Sequence, residues 1–291
     1  MTRTAILFPG QGNLPADLST RLKEVDPELH ELIVNRAGPE IFDRADEGQR
    51  WRQPALFAAS MGCWRTIEAA IESGDLASGP VDIVAFAGHS LGEIGALVAA
   101  GALAPADAVE LVCLRGELFG AIEEARPAAM CAIVGDGALV FAQSQTGGEL
   151  FLANDNSPQQ VVIAGAREAV LAARSEARTQ GLRAVMLPMR AAGHTPWMEE
   201  AVEPLTGLFA TFELTEPSAQ VWSSSRAAPI TDPGAELAAG CVIPVRWRET
   251  VLAIRDAGAE LMVDVGPGHV LAAQTSKTVG PDVDVLAPCD E

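Results

Sequence analysis

Strand-like and helix-like segments alternate along most of the 291 residues, which predicts an α/β fold on a mainly parallel sheet. Two local observations refine that expectation. An apolar run at 81–87 leads straight into Gly88-His-Ser-Leu-Gly92, and a helical pattern follows over 93–102. The stretch 125–189 breaks the alternation and reads strand, helix, strand, strand, helix, strand. That order predicts a ferredoxin-like unit inserted into a larger body made of residues 1–124 and 190–291.

The first strand begins at once in Met1-Thr-Arg-Thr-Ala-Ile-Leu-Phe8 and ends in a Gly-rich loop, Phe8-Pro-Gly-Gln-Gly-Asn13. His30 sits in a polar helical stretch, Pro27-Glu-Leu-His-Glu, and reads as a solvated surface residue. The strand at 81–87 and its turn come next. A long helix is expected over 106–124, where Glu110, Glu117 and Glu124 recur every seven residues and mark a wet face. In the inserted unit, strands are expected at 130–134, 149–155, 159–165 and 182–189. Its helices are expected at 137–144 and 167–179, with a turn at Asn156-Ser-Pro. A further strand at 261–265 precedes the loop Gly266-Pro-Gly-His269. A cleft between body and insert is the natural place for a site.

Hydrophobic residues make up 48% of the chain, enough for a sizeable core and against disorder. The net charge of −19 excludes a general nucleic-acid binder, since phosphate contacts need a basic surface. No apolar run is long enough to span a membrane, and no charged-then-apolar leader opens the chain. Five cysteines are scattered without CxxC spacing, as expected for reduced thiols in a cytoplasmic protein without a zinc site.

The strand–turn–helix context makes Gly88-His-Ser-Leu-Gly92 a nucleophile elbow, with Ser90 as nucleophile. Such a hydroxyl needs a base. Of the four histidines, His89 is a poor candidate because neighbouring side chains diverge in the turn. Position favours His194, in the loop past the insert's last strand, over His269. An acyl-transfer intermediate also needs two aimed N–H donors. Leu91, next after the nucleophile, and Gln11, in the early Gly-rich loop, are the candidates. That loop lacks the spacing of a phosphate cradle. Arg115 lies opposite the wet face of its helix, in the stripe of Ala108, Leu111, Val112, Phe119 and Ile122. A core-facing guanidinium must find an anion, either a structural Asp or Glu or a substrate carboxylate. Periodicity leaves both open.

The chain resembles the malonyl-CoA:acyl-carrier-protein transacylase family, the stand-alone relatives of polyketide-synthase acyltransferase domains. The resemblance rests on Phe8-Pro-Gly-Gln-Gly, Gln53-Pro-Ala-Leu-Phe, Gly88-His-Ser-Leu-Gly-Glu and Arg115-Gly. It continues in Asn156-Ser-Pro-x-Gln-Val-Val-Ile-x-Gly, Gly193-His194, Pro244-Val-Arg-Trp and Val265-Gly-Pro-Gly. It implies an α/β-hydrolase-like body with an inserted ferredoxin-like unit. It further implies a Ser90–His194 catalytic pair, an oxyanion hole from Gln11 and Leu91, and Arg115 holding the acyl carboxylate. Asn156, Gly193 and Trp197 are then expected to line the substrate site. No carboxylate completes a triad in this family; a backbone carbonyl near Pro244-Val-Arg-Trp orients the histidine instead. Here Gly240 stands four residues before Pro244, where many relatives have Gln.

Relatives that place Phe just before the histidine close the pocket around malonyl. Gly193 in that place leaves room, which Trp197 could refill, while Leu91 is the malonyl-like choice. The expectation is a carboxylated acyl group, with space for one bulkier than malonyl. The implied reaction carries that group from coenzyme A through an acyl-serine to the phosphopantetheine thiol of an acyl carrier protein. It needs no metal and no redox cofactor. The rival readings are a shuttle between two carrier proteins for an unusual acyl group and an editing hydrolase with the same Ser/His pair. Carrier proteins are typically acidic, so docking is expected on Arg174, Arg178 and Arg183 or on Arg50 and Arg52. With no synthase domains fused within the 291 residues, the expectation is an enzyme acting in trans, in fatty-acid synthesis or a specialised pathway.

Overall fold

The computed structural model describes residues 1–12, 14–77 and 79–290. Asn13, the last residue of the early Gly-rich loop, lies outside the described residues. The chain opens with β1 (Thr2–Phe8) and three helices, α1 (Leu18–Val25), α2 (Pro27–Ala37) and α3 (Gln49–Ser73). It continues through β2 (Val81–Gly88), α4 (Gly92–Ala99) and α5 (Pro105–Ala125). Next come β3 (Ala128–Val134), α6 (Ala138–Gln145), β4 (Leu150–Ser157), β5 (Gln160–Ala166), α7 (Arg167–Thr179) and β6 (Arg183–Met186). The remainder holds α8 (Val202–Phe209), β7 (Gln220–Ser223), β8 (Ala228–Pro229), α9 (Pro233–Ala239), α10 (Trp247–Asp256), β9 (Leu261–Asp264), α11 (Val270–Val279) and β10 (Asp284–Leu286).

The fold is α/β, with two sheets. The large sheet runs β10-β9-β1-β2-β7-β8. Its strand pairs are parallel except β7 with β8. Alternation along β1 sends Ile6 and Phe8 to one face and Ala5 and Leu7 to the other. The first face packs against α1 to α5 and α8, with Trp64, Leu97 and Leu111 fully buried or nearly so. The second packs against α10 and α11, where Trp247 is wholly enclosed. The central strands β1 and β9 are covered on both sides, as parallel sheets require, whereas the edge strand β10 is partly exposed. Among the described residues no helix is long and apolar enough to cross a membrane.

The small sheet is antiparallel and runs β4-β5-β3-β6. One face carries α6 and α7, packed through Phe141, Val170, Ala173 and Ala177. The other, with Met130, Ala132 and Val162, meets Leu187, Met189, Ala192 and Trp197 and so faces the large-sheet unit. A short parallel bridge of Asn154 with Val245 and an ion pair of Arg248 with Asp155 (2.6 Å) tie the two units together.

Several boundaries differ from the sequence expectation, each for a local reason. The strand expected at 182–189 spans only Arg183–Met186. Leu187 still donates to the Met130 carbonyl (2.9 Å), but Pro188 has no N–H and ends the ladder. Asn156 and Ser157 belong to β4 rather than to a turn, because Ser157 pairs with Gln160 and only Pro158-Gln159 turn the chain. His30 is half-buried, not solvated. It stacks on Phe42 with ring centroids 5.5 Å apart and hydrogen-bonds the Ser19 hydroxyl (3.0 Å). The wet face of α5 is as expected, and Arg36 of α2 spans it to reach Glu110 and Glu117.

Candidate active site

The carboxyl ends of β1, β2 and β7 converge where an open α/β sheet usually holds its ligand. β1 delivers the Phe8–Gly12 loop, β2 the elbow, and β7 the residues Ser224 and Ser225. At the elbow, Ser90 has φ of 56°, a left-handed conformation that non-glycine residues rarely adopt. Such strain costs about 1–3 kcal/mol and persists only where the surroundings enforce it. Here the enforcement is steric: a Cβ on Gly92 would stand 2.1 Å from the Phe8 carbonyl oxygen. The early loop is held equally close, since a Cβ on Gly10 would stand 2.1 Å from the His89 oxygen.

Ser90 Oγ lies 2.7 Å from His194 Nε2. His194 Nδ1 lies 2.7 Å from the Gly240 carbonyl oxygen, which can only accept. Nδ1 therefore carries the proton, and Nε2 presents its lone pair to the Ser90 hydroxyl. The His194 backbone, itself at φ 63°, is pinned by its N–H to the Cys241 carbonyl (2.8 Å). Burial, with Arg115 and His89 adding to it, holds the imidazole neutral down to about 3. It is a base at any ordinary pH. His89 points elsewhere: it is buried and donates Nε2–H to Asn156 Oδ1 (2.9 Å). Asn156 thus meets the elbow through His89, and both line the passage between the sheets beside Ser90 and His194.

The Gln11 and Leu91 side chains line one cleft with Ser90, His194 and Arg115, of about 420 Å³. Among the described residues neither backbone N–H has a hydrogen-bond acceptor. Two unengaged amides beside a nucleophile are what a developing oxyanion requires.

Arg115 is 8% exposed. Its Nη1 donates to Gln53 Oε1 (2.6 Å) and its Nη2 to Ser90 Oγ (3.2 Å), and its guanidinium lies 4.3 Å from the Phe119 ring centre. Among the described residues no carboxylate forms an ion pair with it. The alternative of a structural Asp or Glu partner is thereby answered: the guanidinium is held by neutral groups and keeps its anion-binding capacity.

Gly193 lines the same cleft. A Cβ there would stand 3.6 Å from Phe119 Cε1, an ordinary van der Waals contact, so the space beside Gly193 is bordered by Phe119 and not filled by it. Trp197 does not refill it. It packs against Phe151 (6.3 Å between ring centroids) and under Arg126, on the inner face of the small sheet. His269 lies at an adjoining, larger groove that shares Gln11 and Arg52 with the cleft but not Ser90 or His194.

Three participants carried no role in the sequence reading. Gln53 and Glu93 stand inside quoted motifs, and Ser224 within Val221-Trp-Ser-Ser-Ser-Arg. Glu93 Oε1 accepts from Ser224 N–H (2.6 Å) and Oγ–H (2.7 Å), and Ser224 Oγ lies 3.4 Å from the Ser90 amide. Burial raises the Glu93 carboxyl to about 7 against the lowering effect of Ser224 and Arg115. Only the folded chain brings these groups together, across 131 residues for Glu93 and Ser224. Among the described residues no group of three or more His, Cys, Asp and Glu side chains is placed to hold a metal ion.

The acyl transferase domain pattern matches residues 29–288. The malonyl CoA-acyl carrier protein transacylase of Haemophilus influenzae is 33% identical over 96% of this chain and 93% of its own length. Among solved structures, a malonyl-CoA:acyl carrier protein transacylase from Xanthomonas oryzae pv. oryzae superposes with a TM-score of 0.84 at 30% identity, covering 100% of this chain and 97% of that one. A malonyl-transacylase in complex with its type II polyketide-synthase acyl carrier protein superposes with a TM-score of 0.81 at 30% identity, with the same coverage.

Proposed function

This chain belongs to the acyl transferase domain family, and we propose that it moves a malonyl-type, carboxylated acyl group from coenzyme A to the phosphopantetheine thiol of an acyl carrier protein. The observation that carries this reading is a buried arginine without an ion-pair partner among the described residues, donating to the hydroxyl of an elbow serine whose other partner is a neutral histidine. A hydrolase of simple acyl chains would have no carboxylate for such a group.

In the proposed reaction the Ser90 hydroxyl attacks the thioester carbonyl and passes its proton to His194 Nε2. The Gly240 carbonyl, on Nδ1–H, stabilises the imidazolium that forms. The oxyanion is received by the Gln11 and Leu91 N–H groups. Collapse expels the CoA thiolate, which takes the proton from His194, and leaves an acyl-serine. Arg115 turns its Nη2 from Ser90 to the acyl carboxylate, aided by Gln53 on Nη1. The carrier's thiol then gives its proton to His194 and attacks the ester; as the intermediate collapses, the departing Ser90 oxygen takes that proton back from His194, which restores the free enzyme. Kinetics are ping-pong. Asn156 and His89 border the passage between the sheets, the route assigned to the pantetheine arm. The open space beside Gly193, bordered by Phe119, leaves room for an acyl group bulkier than malonyl. The chemistry requires no metal and no redox cofactor, and the proposed CoA donor supports a cytoplasmic setting.

The finer architecture is part of the proposal. Residues 125–189 form a ferredoxin-like insert, supported by the second-third-first-fourth order of its four strands. Residues 1–124 and 190–291 form the α/β-hydrolase-like body. Of the expected docking arginines, Arg174 and Arg178 lie on α7, which covers the face of the small sheet away from Ser90. Arg52 is at the cleft beside Gln11 and Gly193, and is the better placed to meet a carrier.

The test is intact mass after incubation with malonyl-CoA, followed by addition of holo carrier protein. The wild type gains one malonyl group and loses it to the carrier. Ser90→Ala gains none; an adduct that persists in this variant refutes the assignment.

A further inference from the structure

Arg115 and Glu93 line one pocket with Ser90 and His194, yet do not pair. Glu93 is 3% exposed. Its Oε1 takes both bonds from Ser224, and among the described residues Oε2 has no hydrogen-bond partner. The site therefore holds one buried guanidinium on neutral partners and one buried carboxyl with an unengaged oxygen. An acyl carboxylate arriving on Arg115 brings a second acid into the same poorly solvated space. Two carboxylates near one cation cannot both stay charged without a large penalty, and the one lacking the ion pair takes up a proton.

We propose that Glu93 is the counter-charge of Arg115 and takes a proton when a carboxylated acyl group binds, so that it sets how strongly the site prefers such groups over uncharged ones. This rests on the acyl-transfer reading above.

Arg115 on α5 lowers the proton affinity of Glu93, and the carboxylate of Glu236 on α9 raises it. Ser224, beyond β7, donates to its charged form. His194 and His89 are both held neutral by burial, and the buried Cys241 thiol is pushed towards its neutral form. Arg115 is thus the one nearby charge that a bound acyl carboxylate neutralises. The Glu93 carboxyl, already raised to about 7, then moves further up. By reciprocity, a carboxylated group binds better when Glu93 is protonated. Acylation by a carboxylated donor falls with rising pH, by up to about tenfold per pH unit once the free carboxyl is ionised. An uncharged donor does not neutralise Arg115 and shows no such fall.

Two measurements test this. The first is single-turnover acylation of wild type and Glu93→Gln by malonyl-CoA and acetyl-CoA from pH 6 to pH 8.5. The wild-type preference for malonyl falls across the range and that of Glu93→Gln is flat. Should the variant fail to fold, the second stands alone. Malonyl-CoA is titrated calorimetrically into Ser90→Ala in two buffers of different ionisation heat at pH 7.5. Net proton uptake on binding supports the proposal. A wild-type preference that is flat in pH, or binding without proton uptake, overturns it. Absence of any malonyl adduct on wild type would instead overturn the acyl-transfer reading itself.

Discussion

The large-sheet unit and the small-sheet unit meet at the same cleft but bring different things to it. The large one supplies Gln11, Gln53, Ser90, Leu91, Glu93, Arg115, His194 and the Gly240 carbonyl. The small one supplies mostly walls, including Met130, Asn154, Asn156 and Val162. Charge divides in the same way. Residues 125–189 contain five arginines and five carboxylates, so the whole net charge of −19 falls on the rest of the chain. In the proposed reaction, reactivity and access therefore fall to separate parts. An electroneutral wall beside an acidic body presents one side of the cleft with less repulsion for an anionic partner.

Changes in the large unit are expected to act on rate, and changes in the small one on stability and binding. The largest effect belongs to His194. His194→Ala is expected to slow acylation from malonyl-CoA by at least about 10³-fold with the fold intact, read by rapid-quench mass spectrometry and circular dichroism. A loss below about tenfold would remove His194 from the chemistry. In the wild type, the acid limb of the acylation rate should lie well below pH 6.5, because burial keeps His194 unprotonated down to about 3. Stability moves with the same group. Below about 6.5 an unfolded-state histidine binds a proton that native His194 refuses, so native stability declines as pH falls from there towards 3. An acid limb near 6.5 would contradict the burial argument.

A smaller effect is expected at the junction. Arg248 Nε and Nη2 grip Asp155, which is buried while Arg248 is about one third exposed. Asp155→Asn is expected to cost about 1–3 kcal/mol, discounted from a fully buried pair for that exposure. That lowers Tm by several degrees, while acylation with saturating donor stays within a few-fold. A rate collapse at unchanged Tm would show that the small unit takes part in chemistry and would erase the division drawn above.

The elbow was legible in the sequence because its signal is local: an apolar strand, two glycines around Ser90 and a helix within a dozen residues. The small sheet was legible for the same reason, and so was the buried face of Arg115, since Glu110 and Glu117 marked the opposite side. Residues 9–80 were far less so. α3 is buried over most of its first half and has Pro54 inside it, so neither a wet stripe nor an unbroken pattern announces its 25 residues. The partners of Arg115 and Glu93 were illegible because they are distant in the chain; Gln53 lies 62 residues from Arg115. Trp197 misled because it stands only three positions after His194 in the chain, whereas the short helical turn that follows swings it onto the small sheet.

The most direct test of the central claim is intact mass after exposure to malonyl-, methylmalonyl- and acetyl-CoA, for wild type and Arg115→Ala. Removing a buried charged partner typically costs about 2–5 kcal/mol, or about 30- to 4,000-fold. The account predicts rapid adducts from the carboxylated donors on wild type, and a loss of that order, confined to those donors, in Arg115→Ala. Equal losses for acetyl and malonyl donors, or none for either, would contradict it.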